Sequence, residues 1–428
     1  MLPKIYDLSD VTFTDQDDIV PLSGTAVLTN DRSPIYFTVN TLAGNDIINA
    51  DNKLIIEDDE YYGFDPNKFA FYNSGTLNTA EGNDSITGIV SQNTDYSGAH
   101  YGILNEPVNN LGGRIDTGDG NDLITGIIQA GIYGDGIGNV KGGSIDTGDG
   151  NDKIIGISHT HIGIKNDNGF INTGNGKDTI TGTGILMGIG FINDNINTGS
   201  VLDTGKDNDT ITGSGDTWGI YNQSATFNTN DGDDIIIGNS KLYTGITNYK
   251  FIYTAGGNDM ITGVGSNIGG TGIDNGGIID TGDSNDTITG TSGYSGIFNS
   301  GSIYTGNGND IITGTGSTNG IDNQNTINTG NGEDSIIADG GFSGMGSVFL
   351  GNGNDCFKGF GTGNFNGGNG TDTLKLTSGS YIIGISGTTM SFTKNSIIMN
   401  TSEFEKLIAG NTIYNCDHLT NGQTIFVP

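Results

Sequence analysis

Several residue types that stabilise ordinary domains are scarce in this chain of 428 residues. Two cysteines, Cys356 and Cys416, are too few for a disulfide framework, whether they stay unpaired or form one incidental bridge. Apolar residues make up only 33% of the chain, too little for one thick globular core. No apolar run approaches the roughly 18 residues of a membrane span. The N-terminus lacks the basic and apolar segments of a cleavable signal peptide.

Groups that could build an active site are also scarce. The chain has four histidines, one tryptophan and no nucleophile-elbow motif. His159 and His161 lie on one face of a predicted strand, but no third metal ligand accompanies them. We therefore expect a protein that is not an enzyme, with no catalytic residues.

Basic residues are few, and their scarcity limits the partners. Sixteen Lys and Arg stand against 49 Asp and Glu, which gives a formal charge of −33. This balance disfavours nucleic acid and anionic membranes and favours a multivalent cation. Glycine, in contrast, is abundant at 76 residues. Such a composition would suit a disordered chain, but regularly placed Ile and Leu indicate a thin continuous core.

One pattern, Thr-Gly-x-Gly-Asn-Asp-x-Ile-Thr-Gly, returns along most of the chain. It reads TGDGNDLITG at Thr117–Gly126, TGNGKDTITG at Thr173–Gly182 and TGNGNDIITG at Thr305–Gly314. The Asp before the apolar pair anchors each repeat, and we call this set the Asp ladder. Successive members are 38 residues apart near the N-terminus and 17 near the C-terminus, around a basic coil of about 24. The ladder comprises Asp46, Asp84, Asp122, Asp152, Asp178, Asp209, Asp234, Asp259, Asp286, Asp310, Asp334, Asp355 and Asp372.

A second signature, Gly-Ile-x-Asn, lies between the Asp turns, for example at Gly163–Asn166 and Gly296–Asn299. It predicts three short strands per coil, separated by Gly or Asn corners, with alternate side chains pointing inward. We therefore predict an all-β, right-handed parallel β-solenoid of about 13 coils. The expected organisation is an N-terminal cap at residues 1–40, the solenoid at 41–372 and a β-rich C-terminal cap at 373–428. A short helix is expected near Ser402–Ile408.

The Asp turn has the chemistry of a calcium site. Glycines at its second and fourth positions allow positive φ, which turns carbonyl groups inward. Calcium prefers six to eight hard oxygen ligands, which carbonyls and carboxylates supply. Stacked coils place equivalent Asp residues about 4.8 Å apart, so each neighbouring pair repels by roughly 1 kcal/mol even in a water-like dielectric. A divalent ion between successive turns reverses that effect, and we predict all ladder aspartates as calcium ligands.

The segment Gly367–Lys375, GGNGTDTLK, resembles the calcium-binding nonapeptide G-G-x-G-x-D-x-U-x of RTX (repeats-in-toxin) proteins at every fixed position. The other turns match with Thr in place of the first Gly. The resemblance covers about residues 41–375 and implies a calcium-bound β-roll, type I secretion and folding outside the cell. It also implies an uncleaved C-terminal secretion signal, for which Thr424–Pro428 is the candidate.

The chain departs from the RTX pattern in having one Asp turn per coil instead of two. This predicts several calcium ions in a single row and a third strand face. Turns in which another residue replaces a conserved Gly are degenerate, and we expect Leu42 and Ser284 to mark the weakest sites. The Asp turns could instead be Asx turns without a cation. The Asn series is interpreted as an internal amide ladder.

The leading functional hypothesis is a secreted structural subunit of an extracellular filament, sheath or surface layer, self-associating through solenoid ends. The alternative is a calcium-dependent adhesin or a glycan- or ice-binding module, with cell-surface polysaccharide as a partner. Rows of Thr could form a flat binding face, although Thr also simply suits strands. A polysaccharide lyase or epimerase is the third hypothesis. An aromatic groove would favour glycan binding, and clustered charges outside the ladder would favour an enzyme.

Overall fold

The computed structural model describes residues 4–20, 26–30, 38–52, 68–91, 99–107, 113–129, 131–191 and 199–428. The chain divides into two compact units, an N-terminal unit, Met1–Asp231, and a C-terminal unit, Gly232–Pro428. Each unit is built mainly from parallel strands, and no α-helix occurs in the described residues. Single 3-10 turns lie at Leu8–Asp10 and Cys416–His418. Both cysteines are free thiols.

One coil shows how the sequence builds this architecture. The strand Leu123–Ile128 follows the Asp turn, Gly134–Val140 ends near the Asn corner, and the short strand Ser144–Asp146 leads to the next turn. We call the three resulting sheets the Asp sheet, the Asn sheet and the short sheet. The Asp-sheet strand alternates between half-buried and buried residues, because successive β-strand side chains point to opposite faces.

The N-terminal unit contains three parallel series of such strands. The Asp sheet comprises Ile19–Val20, Ile47–Asn52, Ser85–Val90, Leu123–Ile128, Lys153–Ser158, Thr179–Thr183 and Thr210–Gly215. The Asn sheet comprises Lys4–Asp7, Ala26–Asn30, Phe69–Asn73, His100–Asn105, Gly134–Val140, Ile162–Asp167, Met187–Phe191 and Trp218–Asn222. The short sheet comprises Thr38–Asn40, Thr76–Asn78, Arg114–Asp116, Ser144–Asp146, Phe170–Asn172, Val201–Asp203 and Thr226–Asn228.

The C-terminal unit continues the same plan with shorter coils. Its Asp sheet comprises Ile235–Ser240, Met260–Val264, Thr287–Thr291, Ile311–Thr315, Ser335–Asp339, Cys356–Lys358, Thr373–Leu376, Lys406–Ala409 and Thr412–Asn415. Its Asn sheet comprises Thr244–Asn248, Thr271–Asn275, Ser295–Asn299, Asn319–Asn323 and Phe342–Ser343. Its short sheet comprises Phe251–Tyr253, Ile278–Asp280, Ser302–Tyr304, Thr326–Asn328, Ser347–Gly353, Gly363–Gly370, Gly379–Ser386, Thr389–Lys394, Ile397–Ser402 and Thr424–Val427.

Columns of isoleucine form the thin core of each unit. Ile124 pairs in register with Ile86 and Ile154, and all three are fully buried. Each fully buried Ile contributes about 1.5–3 kcal/mol relative to an exposed one. The Asp and Asn sheets approach closely at Gly126, where an added Cβ would lie 2.2 Å from the Gly136 carbonyl oxygen. Glycine is therefore required at this inner position. The predicted right-handed parallel β-solenoid of about 13 coils is confirmed.

The region predicted as an N-terminal cap contributes strands to the same sheets. Ile19–Val20 pairs with Ile47–Asn52, so Asp18 falls in register with Asp46 of the ladder. The described residues of 1–40 thus add a further coil without the glycine-rich turn. No described helix has the length and hydropathy of a membrane span.

The region predicted as a C-terminal cap, residues 373–428, consists mainly of strands. Gly379–Ser386, Thr389–Lys394 and Ile397–Ser402 pair antiparallel, and Ile397–Ser402 also pairs parallel with Gly363–Gly370. The prediction of a short helix near Ser402–Ile408 is wrong. Lys406–Ala409 is instead a strand that pairs parallel with Thr373–Leu376. Burial of Leu407 against this partner favours the strand.

Candidate metal site and the threonine face

The Asp ladder occupies one register position, immediately before each Asp-sheet strand. All thirteen side chains are buried, with at most 2% of their surface exposed. Asp46, Asp84, Asp122, Asp152, Asp178 and Asp209 follow one another in the N-terminal unit, and the remaining seven do so in the C-terminal unit. The structure therefore brings the predicted residues together within each unit, while their role as metal ligands stays a prediction.

A repeated hydrogen bond links neighbouring members of the ladder. The backbone N–H of one Asp donates to Oδ1 of the Asp in the next coil, at 2.7–2.9 Å. The Asp122 N–H, for example, donates to Oδ1 of Asp152 at 2.8 Å. These bonds fix each carboxylate and satisfy one of its two oxygens.

The second carboxylate oxygen is buried without a hydrogen-bond donor in most members. An unsatisfied buried polar atom costs about 1–3 kcal/mol, and more when it is charged. A bound cation would satisfy such an atom, and eleven of them lie in two stacked series. They are Oδ2 of Asp46, Asp84, Asp122, Asp152, Asp178, Asp259, Asp286, Asp310, Asp334, Asp355 and Asp372.

A buried threonine lies inside most of these turns. Thr117 is fully buried and its hydroxyl donates to the Thr147 carbonyl at 3.3 Å. The hydroxyl also lies close enough to Asp122 to lower the pKa of that carboxyl. A hydroxyl has one proton, so it lowers the pKa of Asp122 only when it donates there instead of to the Thr147 carbonyl; with the hydrogen bond to Thr147 formed, Asp122 Oδ2 has no donor. The free lone pairs of the hydroxyl are then available to a cation.

Burial makes the empty ladder electrostatically unfavourable. Burial is the largest cause that raises the pKa of Asp122 and Asp152 to about 7, and repulsion between neighbouring ladder carboxylates adds to it. The same cause raises the pKa of Asp259 to about 8 and that of Asp84 to about 6. The carboxylates are therefore poised to exchange a proton for a metal ion near neutral pH.

The degenerate turns keep a positive φ at the replaced glycine. At the second position of the turn, Gly118 has a φ of 78° and Leu42 a φ of 70°; at the fourth position, Gly308 has a φ of 143° and Ser284 a φ of 90°. A non-glycine residue with positive φ costs roughly 1–2 kcal/mol. Leu42 therefore preserves the conformation of its turn at a cost in strain, whereas Ser284 also changes the φ of its turn.

The donor chemistry fits calcium. Most turns offer a carboxylate oxygen, a threonine hydroxyl and backbone carbonyls, all hard oxygens of the kind that calcium prefers. Within the described ranges, no group of three or more His, Cys, Asp or Glu side chains could hold a metal alone. A cation bound in these turns would therefore need carbonyl or hydroxyl ligands as well as carboxylates.

Other predicted polar groups have structural partners. The Asn corners form the expected amide ladder, in which Asn105 Nδ2 donates to Asn139 Oδ1 at 2.8 Å. His161 Nδ1 pairs with the buried Asp135, and its ring packs on Tyr133 with centroids 4.7 Å apart. These contacts explain the histidine without a metal.

Two carboxylates in ladder register were missed in the sequence. Asp18 Oδ2 accepts the Thr14 N–H at 2.7 Å, and its own N–H donates to Asp46 Oδ1 at 2.8 Å. Glu405 Oε2 accepts the Asp372 N–H at 2.7 Å. Both precede apolar pairs, Ile19-Val20 and, after Lys406, Leu407-Ile408. That signal was readable, but neither residue follows a glycine-rich turn.

The outward side of the Asp sheet forms a second feature, which we call the threonine face. Its outward side chains run from Ser85 to Ser214 in the N-terminal unit and from Ile235 to Asp339 in the C-terminal unit. Over these coils its central column consists of Thr and Ile, in register: Thr87, Thr125, Ile155, Thr181 and Thr212, and Ile237, Thr262, Thr289, Thr313 and Ile337. In the same register, Asn49 precedes Thr87, and Lys358 and Lys375 follow Ile337.

The threonine face is nearly free of charge in a very acidic protein. Lys153 is its one charged residue in the N-terminal unit and Asp339 its one in the C-terminal unit. In the described residues, no hydrogen bond joins a central-column hydroxyl to another protein group, in contrast to the bonded hydroxyl of Thr117. These hydroxyls are therefore available to an external partner.

No protein-family model and no curated protein matches the chain. Among solved structures, it is similar to a hyperactive, Ca2+-dependent, β-helical antifreeze protein from an Antarctic bacterium. The identity is 17% and the TM-score 0.41, with 98% of this chain and 96% of that chain covered. Values this low carry no inference about the site.

Proposed function

We propose that this chain is a secreted, calcium-binding β-solenoid that binds ice through the threonine face. The calcium row stabilises the coils, and the Asp sheet presents the binding surface. The observation that carries the ice-binding function is the central column, in which every described coil from Thr87 to Thr212 and from Ile237 to Ile337 supplies a Thr or an Ile.

Calcium binding is supported by the buried carboxylate oxygens. Oδ2 of Asp122 and Oδ2 of Asp152 have no donor, while Oδ1 of Asp152 is held by a hydrogen bond. A divalent ion would satisfy the free oxygens of successive coils and cancel the repulsion between them. Extracellular calcium modules work at about 10⁻⁴–10⁻³ M calcium, and a calcium affinity in that range would support the proposed location outside the cell.

Ice is the partner that the chemistry of the threonine face suits best. An ice surface is an uncharged, periodic array of oxygen atoms, so a protein needs no charged side chains to bind it. Thr and Ile are restricted at χ1, so their methyl groups and hydroxyls form an equally periodic and pre-organised array. Pre-organisation lowers the entropic cost of binding to a rigid surface.

The other partners fit this face less well. Glycan binding would favour aromatic side chains, and the described outward positions of the threonine face hold none. Outside the ladder, Arg114 lies 2.8 Å from Asp116 and 3.5 Å from Asp146, and these are exposed ion pairs on the short sheet. A lyase or epimerase reaction receives no support from such pairs alone.

Self-assembly is the second candidate, because one column of the same face is apolar over three coils before Thr183 continues it. Ile89, Ile127 and Ile157 lie in register and half-buried in the N-terminal unit. Flat β-branched faces can pack face to face in a dry interface. The earlier prediction of a filament, sheath or surface-layer subunit therefore stays a prediction, with a face as well as the ends as contact surfaces.

Ice-growth measurements test the proposal directly. With saturating calcium, we expect the protein to lower the freezing point below the melting point and to inhibit ice recrystallisation. Thr181→Lys with Thr212→Lys should abolish both effects, because two ammonium groups would break the periodic uncharged column. Thr226→Lys on the outward side of the short sheet is the matched control and should be silent.

Two results separate the candidates. If the unmodified, calcium-loaded protein leaves ice growth unchanged, the ice-binding function is wrong. If sedimentation then shows large assemblies that Thr181→Lys with Thr212→Lys dissolves, the threonine face serves self-association.

A further inference from the structure

The last ladder turn, Gly367–Asp372, differs from the turns before it. Thr305 and Thr329 occupy the position of Gly367 in two earlier coils, Leu350 occupies it in the coil directly before, and all three side chains are fully buried. A Cβ added to Gly367 would lie 1.9 Å from the Glu403 carbonyl oxygen and 2.9 Å from Asp372 Oδ2. Two oxygens therefore flank the space that a threonine fills elsewhere.

Glu405 extends the ladder by one carboxylate beyond Asp372. The Asp372 N–H donates to Glu405 Oε2 at 2.7 Å, while the Glu405 and Lys406 N–H groups point to the Asp372 carbonyl at 3.1 and 2.9 Å. The register Thr373 to Lys406 places Glu405 opposite Asp372. Glu405 thus ends the series by accepting the same kind of hydrogen bond that Asp372 accepts from the Asp355 N–H.

The two carboxylates meet without a compensating cation. Asp372 is fully buried, and its Oδ2 has no hydrogen-bond partner. Among the described residues, no Lys, Arg or His forms an ion pair with Asp372 or Glu405. Glu403 has a φ of 57°, a costly conformation for this residue, and it keeps its carbonyl against Gly367. This one turn thus combines the strained backbone of Glu403, the Asp372 Oδ2 without a donor and the additional carboxylate of Glu405.

We propose that Glu405 and the Glu403 carbonyl join Asp372 to bind one calcium ion at the end of the ladder. The inference rests on the proposed calcium binding but adds ligands from outside the repeat. The ion stabilises the pairing of Lys406–Ala409 with Thr373–Leu376, where the chain returns to the Asp sheet after the antiparallel strands. A cavity of about 560 Å³, lined in part by Glu403, Glu405 and Asp417, lies beside the site and gives the ion access from solvent.

The test compares three full-length variants with the unmodified protein. Glu405→Gln removes the charge but keeps an oxygen that can accept the Asp372 N–H. Gly367→Ala closes the space from the opposite side. Glu403→Gln changes only an exposed side chain and leaves the proposed carbonyl ligand in place, so it is the control. Native mass spectrometry counts bound calcium, and hydrogen exchange reports protection of residues 406–409 with and without chelator.

We expect the unmodified protein and Glu403→Gln to gain protection of residues 406–409 when calcium is added. Glu405→Gln and Gly367→Ala should lose one ion, or weaken its binding at least about tenfold, and should show no such gain. Equal ion counts and equal protection in Glu405→Gln would overturn the terminal site while leaving the ladder intact. If the unmodified protein binds no calcium at all, the proposed calcium binding itself fails.

Discussion

The Asp122 backbone N–H donates to Oδ1 of Asp152, and Oδ2 of the same carboxylate is buried without a donor. Oδ1 of such a carboxylate thus links neighbouring coils, whereas its buried Oδ2 opposes their stacking. A cation bound to Oδ2 would make the contribution of that oxygen to stability favourable. The different roles of the two oxygens can be tested by changing the pH, the calcium concentration and the carboxylate itself.

The first prediction concerns pH in the presence of chelator. Burial raises the pKa of Asp122 and Asp152 to about 7, above the usual Asp value of 3.8. The folded state therefore binds protons more tightly than the unfolded state, and stability is greatest below the unfolded pKa and falls as pH rises through 6 to 8. We expect the thermal midpoint in chelator to be higher at pH 5 than at pH 8.

Saturating calcium should reverse that dependence. Protons and calcium compete for the same carboxylates, so the calcium-loaded midpoint should be higher at pH 8 than at pH 5. Circular dichroism melts at both pH values check the two signs. If the thermal midpoint changed with pH in the same direction with and without calcium, the ladder would not be the binding site.

The second prediction is a substitution with opposite effects in the two conditions. Asp152→Asn keeps the acceptor for the Asp122 N–H and removes a buried charge. We expect it to stabilise the protein in chelator and to destabilise it in saturating calcium, each by about 1–3 kcal/mol. Asp149→Asn, at an exposed position of the same turn, is the control: its carboxylate also repels Asp152, but solvent screens an exposed charge, so both midpoints should change less than with Asp152→Asn. Denaturant titration under both conditions is the measurement.

The third prediction concerns backbone strain in a degenerate turn. Ser284 has a φ of 90° and an exposed side chain. Ser284→Gly should stabilise the protein by roughly 0.5–1 kcal/mol, because the relief of strain exceeds the added entropy of the unfolded chain. Ser302→Gly, in a strand with ordinary backbone, should instead destabilise by a similar amount. A loss of stability in Ser284→Gly would contradict the strain assignment.

The fourth prediction uses two adjacent isoleucines that point in opposite directions. Ile154 is fully buried in the core, whereas Ile155 lies half-buried on the threonine face. Ile154→Ala should cost about 2–5 kcal/mol because it leaves a cavity. Ile155→Ala should cost less than about 1 kcal/mol but should weaken ice binding. Urea titration and ice-growth assays separate the two effects.

The repeat made most of the fold predictable from the sequence. The Asp that precedes each apolar pair fixes the register, because a shift of one residue would expose the whole inward column. Positions such as Asp122, Ile124 and Asn139 therefore lie where the pattern placed them. The outward threonines were also readable, although strand propensity alone explains their presence as well as a binding face does.

The ends of the repeat were less predictable. Glu405 replaces Asp, and the residues around it resemble helix formers, yet pairing with Thr373–Leu376 makes the following segment a strand. Asp18 lacks a glycine turn, so the apolar pair after it was the one local signal that linked it to the ladder. In both places a long-range backbone pairing overrides the local sequence.

A calcium titration tests the central claim about the ladder most directly. Protein first treated with chelator is titrated with calcium at pH 7.5 while calorimetry counts the ions and circular dichroism follows thermal unfolding. We expect several ions per chain and a large rise in the thermal midpoint, both lost again on chelation. A protein with the same β-signal and the same midpoint in excess chelator and in saturating calcium would contradict the claim.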